Sequence, residues 1–115
     1  PTVVNFFAES CAPCVAEMPA FEKVAQERKA THGFLGISED ATAAAGRRIV
    51  EVTGVTYTIL WDRDASVLRA FGDILPTTLF VDADGVVVER RVGAMTAEEL
   101  RSAIDEHLPS EQTQE

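Results

Sequence analysis

The chain has 115 residues, of which 46% are apolar, which suffices for one packed core and not two. Its net charge of -9, with the basic residues scattered, excludes a nucleic-acid binder, which needs clustered Lys and Arg against phosphate. No apolar run is long enough to cross a bilayer, and two cysteines are too few for a disulfide scaffold.

The opening "PTVVNFF" reads as the interior of a domain. Residues upstream of Pro1, a signal or an anchor among them, are therefore expected. Thr2–Ala8 is β-branched and aromatic, as in a strand buried on both faces. A helix follows from Cys11, with Met18, Phe21 and Val24/Ala25 at helical spacing and Glu17, Glu22, Lys23 and Glu27 falling mostly elsewhere. Pro13 suits its first turn, Pro19 should kink it, and Gly33 should end it. Phe34–Ser38 is the next strand, and Ala41–Thr53 a helix closed by Gly54. Thr56–Asp62 is a short extended segment. Asp64–Gly72 is a two-turn helix capped by Asp64. Leu75–Gly93 carries two strands joined by Asp82-Ala83-Asp84-Gly85, a hairpin signature. A capping box from Thr96 to Glu99 opens the last helix, and Pro109 ends it. This order implies an α/β fold, a central mixed sheet flanked by helices. One domain is expected over residues 1–109, with 110–115 a frayed tail.

The only cysteines, Cys11 and Cys14, stand in "CAPC" where the first strand meets its helix. A disulfide between them closes a tiny loop and restrains little chain entropy, so stapling is a poor reason for the pair. A helix N-terminus favours negative charge, and the thiolate is the reactive species. Cys11 is thus expected to have a depressed pKa and an exposed sulfur. Cys14, one turn in, can attack a mixed disulfide at Cys11 and release the partner. The pair could also be half of a zinc site, but no second cysteine pair is present. His32 and His107 read as solvated helix-end residues.

At this point the chain resembles the thioredoxin-fold, TlpA/ResA-like thiol-disulfide oxidoreductases of the AhpC/TSA and Redoxin-type superfamily. The likeness rests on "VVNFFA" before "CAPC", on "LPTT" before a strand, and on the closing hairpin and helix. It covers nearly the whole chain, although the family's usual N-terminal hairpin is missing from it. The resemblance implies a redox-active Cys11–Cys14 disulfide and no other cofactor. It also implies a cis-proline at Pro76, with Pro13, Leu75, Pro76 and Thr77 forming the surface where a substrate strand pairs. The implied setting is extracytoplasmic, in the periplasm or on the outer face of the membrane, often with a membrane tether. The implied activity is reduction of protein disulfides to thiols, as in cytochrome c maturation and cell redox homeostasis, by a monomer served by an upstream electron donor.

Thioredoxins carry a buried aspartate where this chain has Asn5, and an amide takes no proton. By the resemblance the matching acid is Glu39, a partly buried proton acceptor for Cys14. Both Glu39 and Asp40 could instead cap the following helix, and Asp40 fits that role better. Ser10 replaces the usual tryptophan before the first cysteine, and the single tryptophan, Trp61, reads as core together with Phe6, Phe7, Phe21, Phe71 and Phe80. Three other uses of the pair stay open: an envelope dithiol oxidant, a chaperone presenting two thiolates to Cu(I) or another soft metal, and a redox-inactive interaction domain.

Overall fold

A computed structural model describes residues 1–110 of the chain. Positions 111–115 of the expected frayed tail lie outside the described residues. In chain order the elements are β1 (Thr2–Phe7), α1 (Ala12–Glu27), β2 (Gly33–Ser38), α2 (Ala43–Thr53), β3 (Thr58–Trp61), α3 (Ser66–Arg69), β4 (Thr77–Val81), β5 (Val87–Val92) and α4 (Ala97–His107). The strands form one five-stranded sheet in the order β3-β2-β1-β4-β5. The β1–β2 and β2–β3 pairs are parallel, and β1–β4 and β4–β5 are antiparallel. Crossover helices force the parallel pairs, and the Asp82–Gly85 turn makes the antiparallel edge. This is the mixed α/β sheet expected from the order of elements.

Alternation along β1 divides the core. Val3 and Phe7 pack with Phe21, Val24, Met18, Ile49 and Ile104 on the face covered by α1, α2 and α4. Val4 and Phe6 pack with Leu68 and Leu79 on the opposite face, beneath α3. Full burial of each such side chain contributes about 1.5–3 kcal/mol. Arg101–Glu27 and Arg28–Asp105 ion pairs bind α4 to the far end of α1.

Several local expectations change. The helix α1 ends at Glu27, and Gly33 belongs to β2 rather than to a helix stop. It continues through Pro19, whose ring lies on the exposed side, where the unpaired carbonyl can reach water. The expected extended insert becomes a true edge strand because residues Leu35–Ser38 pair with Thr58–Trp61. The third helix is a single turn, not two. Asp62 rather than Asp64 takes most of its free donors, accepting from Val67 and Leu68 N–H at 3.3 and 3.0 Å, while Asp64 accepts from Ser66. Thr42, not Asp40, caps α2.

His32 is buried, not solvated: its ring lies 2.7 Å from the Leu108 carbonyl and 2.8 Å from the Thr31 hydroxyl. His107 is also partly covered, 3.3 Å from Glu89 and tilted against the Phe80 ring. Phe6, Phe7, Phe21 and Phe80 are core and Phe71 is packed on its border, but Trp61 is 39% exposed on the edge strand.

Gly36 of β2 lies opposite Asn5, where the rings of Phe7 and Tyr57 close over the strand. A Cβ there would stand 3.2 Å from each ring and closer still to Ile59. Gly36→Ala is therefore expected to destabilise the fold by about 1–3 kcal/mol through overpacking, read as a lower midpoint in urea denaturation. An unchanged midpoint would mean that the rings yield freely.

Candidate functional site

The middle strand β1 delivers the chain to its C-terminal edge at Phe7. There Ala8–Cys11 turns back, closed by a 3.1 Å bond from Cys11 N–H to the Ala8 carbonyl. Cys11 is the N-cap of α1, in extended backbone (φ -96°, ψ 97°), and its sulfur accepts the Cys14 N–H at 3.3 Å. The sulfur thus takes the place of the capping oxygen that serines and aspartates supply. The two cysteines form a disulfide. Cys11 is half-buried, and Cys14 is fully buried behind it among Phe7, Met18 and Ile49. Pro13 sits exposed in the first turn, where its missing N–H leaves no helix bond unmade.

The Leu75–Pro76 peptide is cis, as the resemblance implies. The β1–β4 register pairs Phe6 with Thr77, so Pro76 lies across from the strand end that leads to Cys11. Leu75 packs into the same apolar cluster as Cys11 and Cys14. The Pro76 carbonyl accepts Gly93 N–H at 2.9 Å, and the Thr77 hydroxyl donates to the Ile74 carbonyl. The fold therefore brings Cys11, Cys14, Leu75, Pro76 and Thr77 to one end of the sheet.

Sequence reasoning missed Glu17. It is buried, one helical turn past Cys14 on the same face of α1. Its carboxylate accepts the Asn5 side-chain amide at 2.9 Å and Met95 N–H at 2.9 Å. Burial pushes its pKa up to about 7, against the lowering effect of those two bonds. The signal was present in spacing: residue 17 lies between Cys14 and Phe21 on the apolar stripe, and its charge disguised it.

Glu39 stands just past β2, its N–H bonded to the Phe7 carbonyl at 2.8 Å, at the same sheet end as the thiols. Its carboxyl faces Asp62 rather than Glu17. Both oxygens are buried and find no donor among the described residues. Burial first, then the hydrogen bond to Asp62 and the like charges of Asp62, Asp73 and Asp40, push its pKa up to about 8. Burial works upward on Asp62 too, but hydrogen bonds from Leu68, Glu39 and Val67 outweigh it and hold Asp62 low. Glu39 therefore keeps its proton to a higher pH than Asp62 does. Among the described residues, no group of three His, Cys, Asp or Glu is arranged to hold a metal ion.

A family model described as Redoxin matches residues 1–108. The chain is 28% identical over 108 residues to a thiol-disulfide oxidoreductase ResA of Bacillus thuringiensis, covering 92% of this chain and 62% of that protein. It thus spans about three-fifths of the length of the curated relatives it matches. Among solved structures, it superimposes with a TM-score of 0.81 and 27% identity on a secreted Mycobacterium tuberculosis disulfide oxidoreductase homologous to E. coli DsbE, covering 91% of this chain and 80% of that one. A thiol:disulfide interchange protein of the thioredoxin family from Chlorobium tepidum matches with a TM-score of 0.79 and 26% identity over 93% of this chain and 79% of that one. The fold is thioredoxin-like.

Glu17 yields a signed prediction. Its carboxyl titrates near 4.5 when exposed and at about 7 in the fold, so between these values the native state holds the extra proton. Stability from this group is complete below about 4.5 and is lost as pH rises through about 7. The loss is on the order of 3 kcal/mol. Glu17→Gln should remove that slope, so that urea-denaturation profiles of wild type and variant diverge across this window. Parallel profiles would show that Glu17 keeps its ordinary pKa.

Proposed function

Because the chain belongs to the Redoxin family, we propose that it is a thiol-disulfide oxidoreductase that exchanges electrons with protein thiols through Cys11 and Cys14. The observation that carries this reading is the sulfur of Cys11 at the α1 N-cap, accepting the Cys14 N–H, with Cys14 buried directly behind it. After reduction, the thiolate of Cys11 stands where the helix offers free N–H groups and a positive dipole end. Charge there is stabilised before any substrate arrives.

In the reducing direction, the Cys11 thiolate attacks one sulfur of a substrate disulfide. A mixed disulfide forms and one substrate sulfur leaves as thiolate. Cys14 then gives up its proton and attacks the Cys11 sulfur. The Cys11–Cys14 disulfide forms, the second substrate thiolate leaves, and two electrons have passed to the substrate. An upstream dithiol donor restores the pair by the reverse exchange. Leu75, half-buried just before the cis peptide, presents the backbone beside Cys11 on which a substrate strand aligns; Pro76 and Thr77 are buried and hold it there, Thr77 between Phe6 and Val92, and Pro13 lines the other side.

Two carboxyls could take the Cys14 proton. Glu39 is the one implied by resemblance, and it lies at the thiol end of the sheet with a raised pKa. Glu17 shares the helix face of Cys14, and its pKa of about 7 suits proton transfer at neutral pH. We assign the proton to Glu17 and leave Glu39 to hold the Asp62 pair. The secreted Mycobacterium oxidoreductase supports an extracytoplasmic setting, and the role proposed there is that of a reductant in the cell envelope, as in cytochrome c maturation. The proposed form is a monomer, with any membrane tether lying outside residues 1–115.

Equilibration with glutathione buffers, and insulin reduction driven by dithiothreitol, test the reading. A potential well below that of glutathione is expected, with Cys11→Ser inactive and Cys14→Ser trapping a mixed disulfide. A potential well above glutathione would turn the direction to oxidation. Loss of both insulin reduction and trapping would sink the oxidoreductase itself. Glu17→Gln should slow Cys14 attack more than Glu39→Gln does; the opposite order would return the proton to Glu39.

A further inference from the structure

The turn that carries Cys11 is fastened from outside its own segment. Asp40, two residues past β2, accepts the backbone N–H of Glu9 at 2.9 Å through one carboxylate oxygen. Its other oxygen accepts the Ser38 hydroxyl at 2.9 Å, and its backbone carbonyl accepts the Trp61 indole N–H at 2.9 Å. Ser38 is itself immobilised: it is buried in the sheet, packed under Gly46 of α2, and its carbonyl takes Asp62 N–H at 3.0 Å. The Glu9 side chain is fixed separately, forming a two-point pair with Arg48 of α2 at 2.7 and 2.9 Å. Backbone and side chain of one residue, two positions before the nucleophile, are thus tied to two different elements.

We infer that Asp40 is a positioning residue for the nucleophilic sulfur, holding the Ala8–Cys11 turn so that Cys11 meets the first N–H groups of α1. The inference rests on the oxidoreductase reading and adds a residue to it. Ser10 and Glu9 are exposed and bring no apolar packing of their own to the middle of this turn, which its buried Ala8 and the Cys11 N–H bond to the Ala8 carbonyl anchor only at its ends. The Asp40 bond to Glu9 is charge-assisted, and the carboxylate has both oxygens occupied. A sulfur that caps a helix loses that advantage when its turn can swing away.

Geometry and charge predict opposite signs, which makes the inference testable. As a plain anion near the thiol, Asp40 would oppose thiolate formation, and removing it would ease Cys11 ionisation. As a positioning group, removing it should make ionisation harder. Iodoacetamide alkylation of Cys11 against pH, in the reduced protein, reads the difference. Asp40→Ala is expected to slow alkylation at pH 7 by about fivefold and to lower the reduction potential of the pair, because the reduced form loses stabilisation. Asp40→Asn keeps an acceptor for Glu9 N–H and lacks the charge, so its alkylation should stay close to wild type.

Faster alkylation in either variant would overturn the inference in favour of a charge effect. Unchanged Cys11 titration in Asp40→Ala, with only a lower melting temperature, would overturn it in favour of a purely structural role. Should the alanine variant fail to fold, Glu9→Pro, which removes the N–H that Asp40 accepts, is compared with Glu9→Ala, which keeps it: slower alkylation in the proline variant alone supports the inference, and equal rates overturn it. Failure of the oxidoreductase reading would show separately, as ordinary thiol reactivity and no insulin reduction in the wild type.

Discussion

Everything in this molecule is arranged around one junction, where a central strand hands the chain to a helix whose first cap is a sulfur. β1 has neighbours on both sides, β2 and β4, so its end cannot move without disturbing the middle of the sheet. The helix α1 is anchored along its length by Met18, Phe21 and Val24, all fully buried. Between these fixed elements only Ala8–Cys11 remains to be placed. A helix N-terminus offers several unpaired N–H groups, and here a sulfur takes one of them. Fold stability and thiol chemistry therefore draw on the same geometry. The strand and helix are rigid for packing reasons, and the reactive group inherits that rigidity.

Below the junction runs a polar seam that packing alone would not choose. Asn5 gives one amide hydrogen to Glu17 and the other to Thr78 at 3.3 Å, linking β1, α1 and β4. Glu17 continues the seam to Met95 in the loop before α4. On either side lie apolar clusters, with Phe21, Val24 and Phe80 on one and Phe7, Cys14 and Met18 on the other. A hydrophobic residue at position 17 would join the two clusters, and its burial would be favourable. The carboxyl is instead held with two donors and no cation, which is why burial outweighs the hydrogen bonds and its proton becomes labile near neutrality. A group so placed costs stability in its charged form, and the proposed proton exchange with Cys14, one turn away, would be the use the fold makes of it.

The parts of this structure that were legible in sequence are those fixed by nearest neighbours along the chain. The capping box of Thr96 and Glu99, the Gly54 helix stop and the Asp82–Gly85 turn involve residues a few positions apart, and each forms as the local chemistry requires. The α1 stripe was legible from Met18, Phe21 and Val24, and the thiol pair from its place after a buried strand. What could not be read depends on partners far along the chain. His32 is buried because Leu108, 76 positions away, brings its carbonyl to the ring. Glu17 is buried because Asn5 and Met95 meet it from two other elements. Asp40 looked like a helix cap because such residues usually are, but Thr42 was available for α2 and the Glu9 N–H was not otherwise satisfied.

Glu17 and Glu39 show why resemblance and burial can point at different acids. Both carboxyls are raised by burial, yet their surroundings differ in kind. Glu39 meets another carboxyl, Asp62, whose remaining capacity is taken up by the first N–H groups of α3. Removing its proton would set two negative charges against each other. Glu17 meets donors only, an amide and a backbone N–H, both of which favour its anion. It can lose and regain its proton without a partner being repelled. Of two acids with raised pKa, the one surrounded by donors fits the role proposed for Glu17, and it is also the one on the helix that carries both cysteines.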